Sequence, residues 1–330
     1  MAPAAVLLLP ARRRVSGASL PPLLARAIAR ADALPPGEPG ERAQLQRHFA
    51  LLPRGWPAAA LTRSVDAPGD AGGRWLRADP AWVRPDINGA RLFAVGEGMQ
   101  LAREDVEVLL PSLRTLFGDA GFPIDAPDPS RWYLRLPDGA ALPSFPDPEE
   151  ALGSDLFETL VGTDPARDAA VRRWRTLLSE AQVVLHTHPW NERRVAAGKP
   201  PVNSLWFWGG GVFPDQVAAP VARVRGGDAL LRALALHAGL RQDPRGSGFE
   251  APEEDVLVDL RDARDADALH ARWLAPAADA VRRGTLRELR LDFQDGAGCL
   301  LLRKHRWRVW RAPASGFSRL PPLPQEHTAR

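Results

Sequence analysis

The stretch from His186 to Gly211 constrains this chain more than any other. Two histidines, two asparagines, two arginines and three tryptophans fall within one short span. Inside it, Leu205 to Trp208 is an unbroken apolar and aromatic run that ends on Gly209, Gly210 and Gly211. A run of this length and composition predicts a short buried strand. Three glycines after it allow a sharp turn or a close approach of backbone to a ligand.

The rest of the chain alternates between strand and helix patterns around this stretch. Residues 4–9 are apolar and stop at Pro10, which predicts a first strand. Residues 20–33 and 42–51 carry helical spacing, and the Pro- and Gly-rich stretch 53–73 marks a boundary. Strands at 75–78 and 91–95 frame turn residues at 86–89. A helix at 103–117 carries Pro111, which predicts a kink or a break, and a strand follows at 132–136. Val171, Trp174, Leu177, Leu178, Ala181, Val184 and Leu185 fall on one face of an amphipathic helix over 165–185.

Beyond the signature, a helix at 228–237 precedes a strand at 255–260 and a helix at 265–283. A hairpin at 286–293 and 298–304 turns on Asp295-Gly296, and residues 307–311 add a final strand. The alternation predicts an α/β protein, a sheet flanked by helices with a small inserted α+β lobe. The core is expected at 1–70 and 185–311, the lobe at 71–184, and a loose tail at 312–330.

Charge and cysteine usage narrow the function classes. The formal net charge is only +3, although the pI is about 9.7. The two agree because Lys199 and Lys304 are the only lysines and arginine does not deprotonate. So small a net charge disfavours nucleic acid as a partner. Cys299 is the single cysteine, which excludes an intrachain disulfide and fits a reducing cytoplasm. The apolar start is too short for a membrane span and lacks the flanks of a leader, so no membrane partner is expected.

Several residues could carry chemistry. His186 and His188, two apart, would share a face on a strand and could ligate a metal; in a loop before Pro189 they would only hydrogen-bond locally. Asn191, Arg193, Arg194 and Asn203 could clamp a small anionic ligand, arginine with two parallel bonds. The plainer reading gives the asparagines to loop backbone and the arginines to surface ion pairs. Gly209, Gly210 and Gly211 after a strand suggest a phosphate cradle, yet no glycine-rich nucleotide motif surrounds them. Trp206 and Trp208 suit a buried core or a stacking face. Asp262, Asp265, Asp267 and His270 follow a strand end, where α/β enzymes place metal ligands; equally, the acids suit the start of a helix.

The segment Asn191 to Gly211 resembles one in the archaeal-type cofactor-independent phosphoglycerate mutases, which carry Asn-x-x-Arg, a Gly, Pro-Ala-Asn and an apolar run ending in Gly-x-Gly. With Ala78-Asp79-Pro80 and the closing His305 to Arg311, the chain is similar over most of residues 1–311 to bacterial proteins labelled phosphoglycerate mutase-related, or regulatory protein of RpfE type. The resemblance implies an alkaline-phosphatase-like sheet with an inserted lobe. It also implies two metal ions, an aspartate ending the first strand and a serine nucleophile. This chain departs there. Its first strand runs into Pro10-Ala11-Arg12, and its first aspartate is Asp32. Ser16, Ser19 and Ser64 lack a nucleophile's surroundings. The expectation is a non-catalytic or regulatory relative that binds a small phosphorylated anion, with no cofactor. The alternatives are an active enzyme with a divalent metal on Asp262, Asp265 and His270, and a protein-interaction module using exposed tryptophans.

Overall fold

The computed structural model describes residues 2–15, 19–86, 89–151 and 165–317. The chain divides into two compact units, Met1–Ala50 with Gln216–Arg330, and Leu51–Asp215. The second unit takes in more than the 71–184 lobe read from sequence, because the signature strand Ser204–Val212 pairs along the strand Arg74–Asp86. No helix among the described residues is long and apolar enough to cross a membrane.

The first unit is built on a mixed seven-stranded sheet. Its order is Arg241–Asp243, Arg223–Arg225, Val256–Asp259, Ala4–Leu9, Glu288–Phe293, Gly298–Leu302 and Asp32–Ala33. The first five are parallel to their neighbours, and the last two are added antiparallel. Ala4–Leu9 is central, which is why it reads as an almost continuous apolar run: a parallel strand is covered on both faces. The helices Pro22–Arg30 and Ala275–Arg283 lay Leu24, Ile28, Ala277, Ala278 and Val281 against Leu7, Leu9, Val258, Leu289 and Leu291.

Two expectations change in this unit. The helix over 265–283 forms, but residues 270–274 widen into a π-type turn just before Pro276, whose missing N–H cannot continue the α ladder. Residues 307–311 are not a strand. Arg303–Trp307 is a 3-10 turn, and Trp307, Val309 and Trp310 are exposed because no neighbouring strand pairs with them. Of the tail, Ala314 and Phe317 are buried, and the residues after 317 lie outside the described part.

The second unit is antiparallel. Arg74–Asp86 pairs with Ser204–Val212 on one edge and with Arg131–Leu136 and Gly89–Val95 on the other; Ile124–Asp128 extends the sheet beyond Arg131–Leu136. The helices Arg103–Asp119 and Pro165–His186 pack Leu109, Leu113, Phe117, Trp174 and Leu178 onto Leu76, Ala78, Leu134, Leu205 and Phe207. The helix Ala58–Asp66 meets Trp75 and Tyr133 through Ala59 and Ala60. Arg103–Asp119 runs through Pro111 without ending, because the buried face on both sides of the proline outweighs the lost backbone bond.

The glycines of the signature lie within the Ser204–Val212 strand and do not form a turn after it. The pairing with Arg74–Asp86 slips between Trp75 and Arg77, so that Gly209 and Gly210 together oppose Leu76 as a β-bulge. Gly209 is left-handed, with φ of 64°. A Cβ there would sit 2.9 Å from the Ala58 Cβ, and one on Gly211 would sit 2.7 Å from the Pro57 Cβ. The glycines therefore admit the start of the Ala58–Asp66 helix against the strand.

Candidate functional site

Asn191, Asn203 and His188, and Arg194 in part, are bonded to backbone. Asn191 donates from Nδ2 to the carbonyls of Leu185 and Val202, and its Oδ1 accepts from the Val202 N–H at 2.8 Å. Asn203 does the same across the strand edge, accepting from the Val83 N–H at 2.9 Å and donating to the Val83 carbonyl at 2.8 Å. Arg194 is buried, 2.8 Å from Asp105, and donates to the carbonyls of Pro200 and Met99. Hydrogen bonds from the Ala102 N–H, Trp190 and Arg194 outweigh burial, the largest single effect, and hold the Asp105 carboxyl below its ordinary range. Arg193 lies over the Trp190 ring at 5.0 Å. His186 ends a helix, exposed, and His188 accepts from the Trp190 N–H through Nδ1 at 3.2 Å. Asn191, Arg194 and Asn203 thus brace the entry to the strand.

The tryptophans are also committed. Trp206 donates to the Pro146 carbonyl, and Trp208 donates to Asp79 at 2.7 Å. Asp79 is buried beside Arg77, which binds it through two N–H groups at 2.8 Å. Burial pushes the Asp79 carboxyl up, against the pull of Arg77 and Trp208.

Asp262, Asp265 and His270 are dispersed. Asp262 pairs with Arg245 near the surface. Asp265 caps a helix by accepting from the Ala268 N–H at 2.9 Å. His270 is buried, 5.8 Å from the Phe317 ring, and burial lowers its basicity. Among the described residues no three of His, Cys, Asp or Glu gather where one ion could reach them. Ser64 is buried and donates to the Leu61 carbonyl at 2.7 Å, as a helix residue does, and Ser16 lies outside the described residues.

A denser cluster lies where the parallel strands of the first unit end, the usual place for a site in an α/β sheet. Asp259 closes Val256–Asp259, Asp292 lies one residue before the end of Glu288–Phe293, and Asp295 sits in the hairpin turn. Each carboxylate is held by an arginine. Arg261 grips Asp259 with two bonds of 2.8 Å. Arg47 grips Asp292 at 2.6 and 3.0 Å, and His48 Nε2 adds a third contact at 2.7 Å. Arg12, just past the first strand, meets Asp295 at 3.0 Å through both its backbone N–H and its side chain. Gln44 closes the gap by donating to the carbonyls of Leu9 and Asp292 at 3.1 and 2.7 Å.

Arg261 reaches further, to Glu41 and, at 3.2 Å, to Asp228. Burial opposes its charge, but Glu41, Asp259 and Asp228 together keep the guanidinium even harder to deprotonate than usual. Asp259 and Asp292 respond in kind: burial works to raise both, and the charges and hydrogen bonds of Arg261 on one, and of His48 and Arg47 on the other, hold both below the ordinary carboxylate range. These residues fit charge-neutral pairing. They do not fit a two-metal site as arranged, because both oxygens of each carboxylate already accept N–H groups and each carboxylate is already paired with a cation. Sequence reading missed this cluster because its members come from five separated segments. The available signal was an acid closing an apolar run, as in Val256–Asp259 and again at Leu291-Asp292.

No family model matches the chain. Over 69 residues it is 38% identical to the 2,3-bisphosphoglycerate-independent phosphoglycerate mutase of Methanosarcina mazei, a match covering 19% of this chain and 17% of that protein. Over 71 residues it is 37% identical to the probable enzyme of that name from Geobacter sulfurreducens, covering 22% of this chain and 16% of that one. The matches thus span about a sixth of the length of these curated relatives. Among solved structures, a cofactor-independent phosphoglycerate mutase from Thermoplasma acidophilum aligns with 91% of this chain and 89% of its own at 14% identity and a TM-score of 0.41. The PH0037 protein from Pyrococcus horikoshii aligns with 92% and 88% at 14% identity and a TM-score of 0.43. The chain is distantly similar to the cofactor-independent phosphoglycerate mutases.

Proposed function

We propose that this protein is a non-catalytic, regulatory relative of the cofactor-independent phosphoglycerate mutases, acting in the cytoplasm. One observation carries the reading: at the carboxyl edge of the parallel strands, Asp259, Asp292 and Asp295 are each neutralised by an arginine, Arg261, Arg47 and Arg12. Phosphoryl transfer draws most of its acceleration from cations aimed at the moving charge. Guanidiniums locked onto buried carboxylates are not free to turn toward a substrate.

The test is an assay of the purified protein for interconversion of phosphoglycerates in the presence of Mn²⁺, Mg²⁺ or Zn²⁺. The expected result is no turnover above background. Metal-dependent turnover that Asp292→Asn abolishes would overturn the proposal and favour an enzyme whose arginine pairs open to admit ions.

A further inference from the structure

The strongest unassigned feature lies on the first unit, among residues that the carboxyl-edge cluster does not use. A cavity of about 400 Å³ opens between the helices Pro22–Arg30 and Ala275–Arg283, the strand Gly298–Leu302 and the turn Arg303–Trp307. Its floor is aliphatic and its wall is basic: Arg282 and His305, which meet Asp279 and Asp32, line it beside Arg26, Arg30, Arg303 and Arg306, and no aspartate or glutamate does. None of these four has a carboxylate within ion-pair distance among the described residues, unlike Arg12, Arg47 and Arg261 in the same unit. The Nε of Arg30 is buried without a partner. Four guanidiniums without a carboxylate partner around one cavity favour an anion among them.

The end of that turn and the residues just after it carry three exposed apolar side chains. Trp307 is 68% exposed, Val309 70% and Trp310 75%. The two arginines between and beyond them face inward: Arg308 donates to the Arg30 carbonyl at 2.8 Å and pairs with Asp32, and Arg311 donates to the Ala31 carbonyl at 3.0 Å. These anchors fix the segment against the end of the first helix and leave the tryptophans outward. Arg306, part of the cavity wall, lies 4.7 Å over the Trp307 ring, so the cationic cavity and the aromatic edge are contiguous.

We propose that this face docks on an anionic lipid surface, with one phosphate headgroup in the arginine cavity and Trp307, Val309 and Trp310 in the interfacial layer. Tryptophan favours that layer because one end of its ring system is apolar and the other can hydrogen-bond. Arginines beside it draw it to anionic headgroups. A single-stranded nucleic acid would need the ring faces free for stacking, and Arg306 covers one face of Trp307. The proposal departs from the sequence expectation of no membrane partner, which rested on the lack of a span and of a leader; docking at a surface requires neither. The proposal holds whether or not the Asp292 edge turns over a phosphoryl group.

Flotation of the full chain with vesicles tests it, using phosphatidylcholine alone and phosphatidylcholine mixed with phosphatidylglycerol. The chain is expected to float with the mixed vesicles only, with a blue shift of tryptophan emission, and to be released by high salt. Arg303→Gln and Arg306→Gln should each weaken binding roughly fivefold, the effect of one cation at a charged membrane surface. Trp307→Ser with Trp310→Ser should abolish the emission shift. All four positions are exposed, and circular dichroism would confirm that the variants fold. Equal flotation with phosphatidylcholine alone, no flotation with either, or arginine variants that bind like the parent would overturn the proposal. So would stronger binding to a single-stranded RNA oligomer, or binding of glycerol 3-phosphate without binding of vesicles.

Discussion

His48 Nε2 lies 2.7 Å from Asp292 Oδ2, with both side chains almost fully buried and Arg47 on the same carboxylate. The contact ties the end of a parallel strand to the segment that follows the helix Glu41–Gln46. It also makes the acid limb of the stability curve predictable. The folded state holds the Asp292 and Asp259 carboxyls below their ordinary range. Their contribution is therefore fully present above the unfolded value, about pH 4, and is lost as pH falls through the folded values. Asp292→Asn should be less stable at pH 7 and should lose less of what remains between pH 5 and pH 2. Urea midpoints measured across that range check this; parallel curves for the two proteins would contradict it.

Arg261 touches Glu41, Asp259 and Asp228 at once. Arg261→Ala should cost about 3–5 kcal/mol, as expected when one partner leaves a buried ion pair. The variant also leaves three acids around the space of one cation. Millimolar Mn²⁺ should raise its melting temperature by several degrees, and should leave that of the parent unmoved. Melting curves with and without Mn²⁺ read both effects.

At the bulge, adjacent glycines should differ. Gly209→Ala puts a Cβ on a left-handed residue and against the Ala58 Cβ and the Ala59 backbone N at 2.9 and 3.2 Å. It should cost about 2–4 kcal/mol from strain and overpacking together. Gly210→Ala meets the Leu142 and Leu76 side-chain ends at 2.8 and 3.1 Å, which can shift, and should cost less. Denaturant unfolding ranks the two.

Trp208→Phe keeps an aromatic six-membered ring but trims the indole and removes the N–H that Asp79 accepts at 2.7 Å. The loss should be about 1–3 kcal/mol, the cost of leaving a buried acceptor short of a donor. A free-energy change near zero by urea titration would mean that water or Arg77 replaces the bond.

Cys299 is fully buried, and burial pushes its thiol up to about 12. Its reaction with a thiol-specific reagent at pH 8 should be slow in the folded protein and fast in urea, so that labelling reports the opening of the first unit.

Much of the framework was legible because it repeats local rules. The apolar run of residues 4–9, the hairpin on Asp295-Gly296 and the amphipathic helix at 165–186 follow from alternation, turn residues and helical spacing. Legibility failed where distant packing decides the outcome. Pro80 and Pro85 hid a thirteen-residue strand whose partners lie more than a hundred residues away on one edge. Gly209 to Gly211 looked like a ligand turn because the helix they accommodate begins at Ala58, far back in the chain. Asp259 and Asp292 each follow an apolar run, but nothing local sets them beside Asp295. Only the parallel register of Ala4–Leu9 with both neighbouring strands sets them along one edge.

The arginines on that edge have one more consequence. An ion bound by side chains can be stripped by a chelator or go missing when the element is scarce, whereas a guanidinium is bonded into the chain and is always supplied with it. The charge that Arg12, Arg47 and Arg261 bring to this sheet terminus is therefore translated along with the polypeptide.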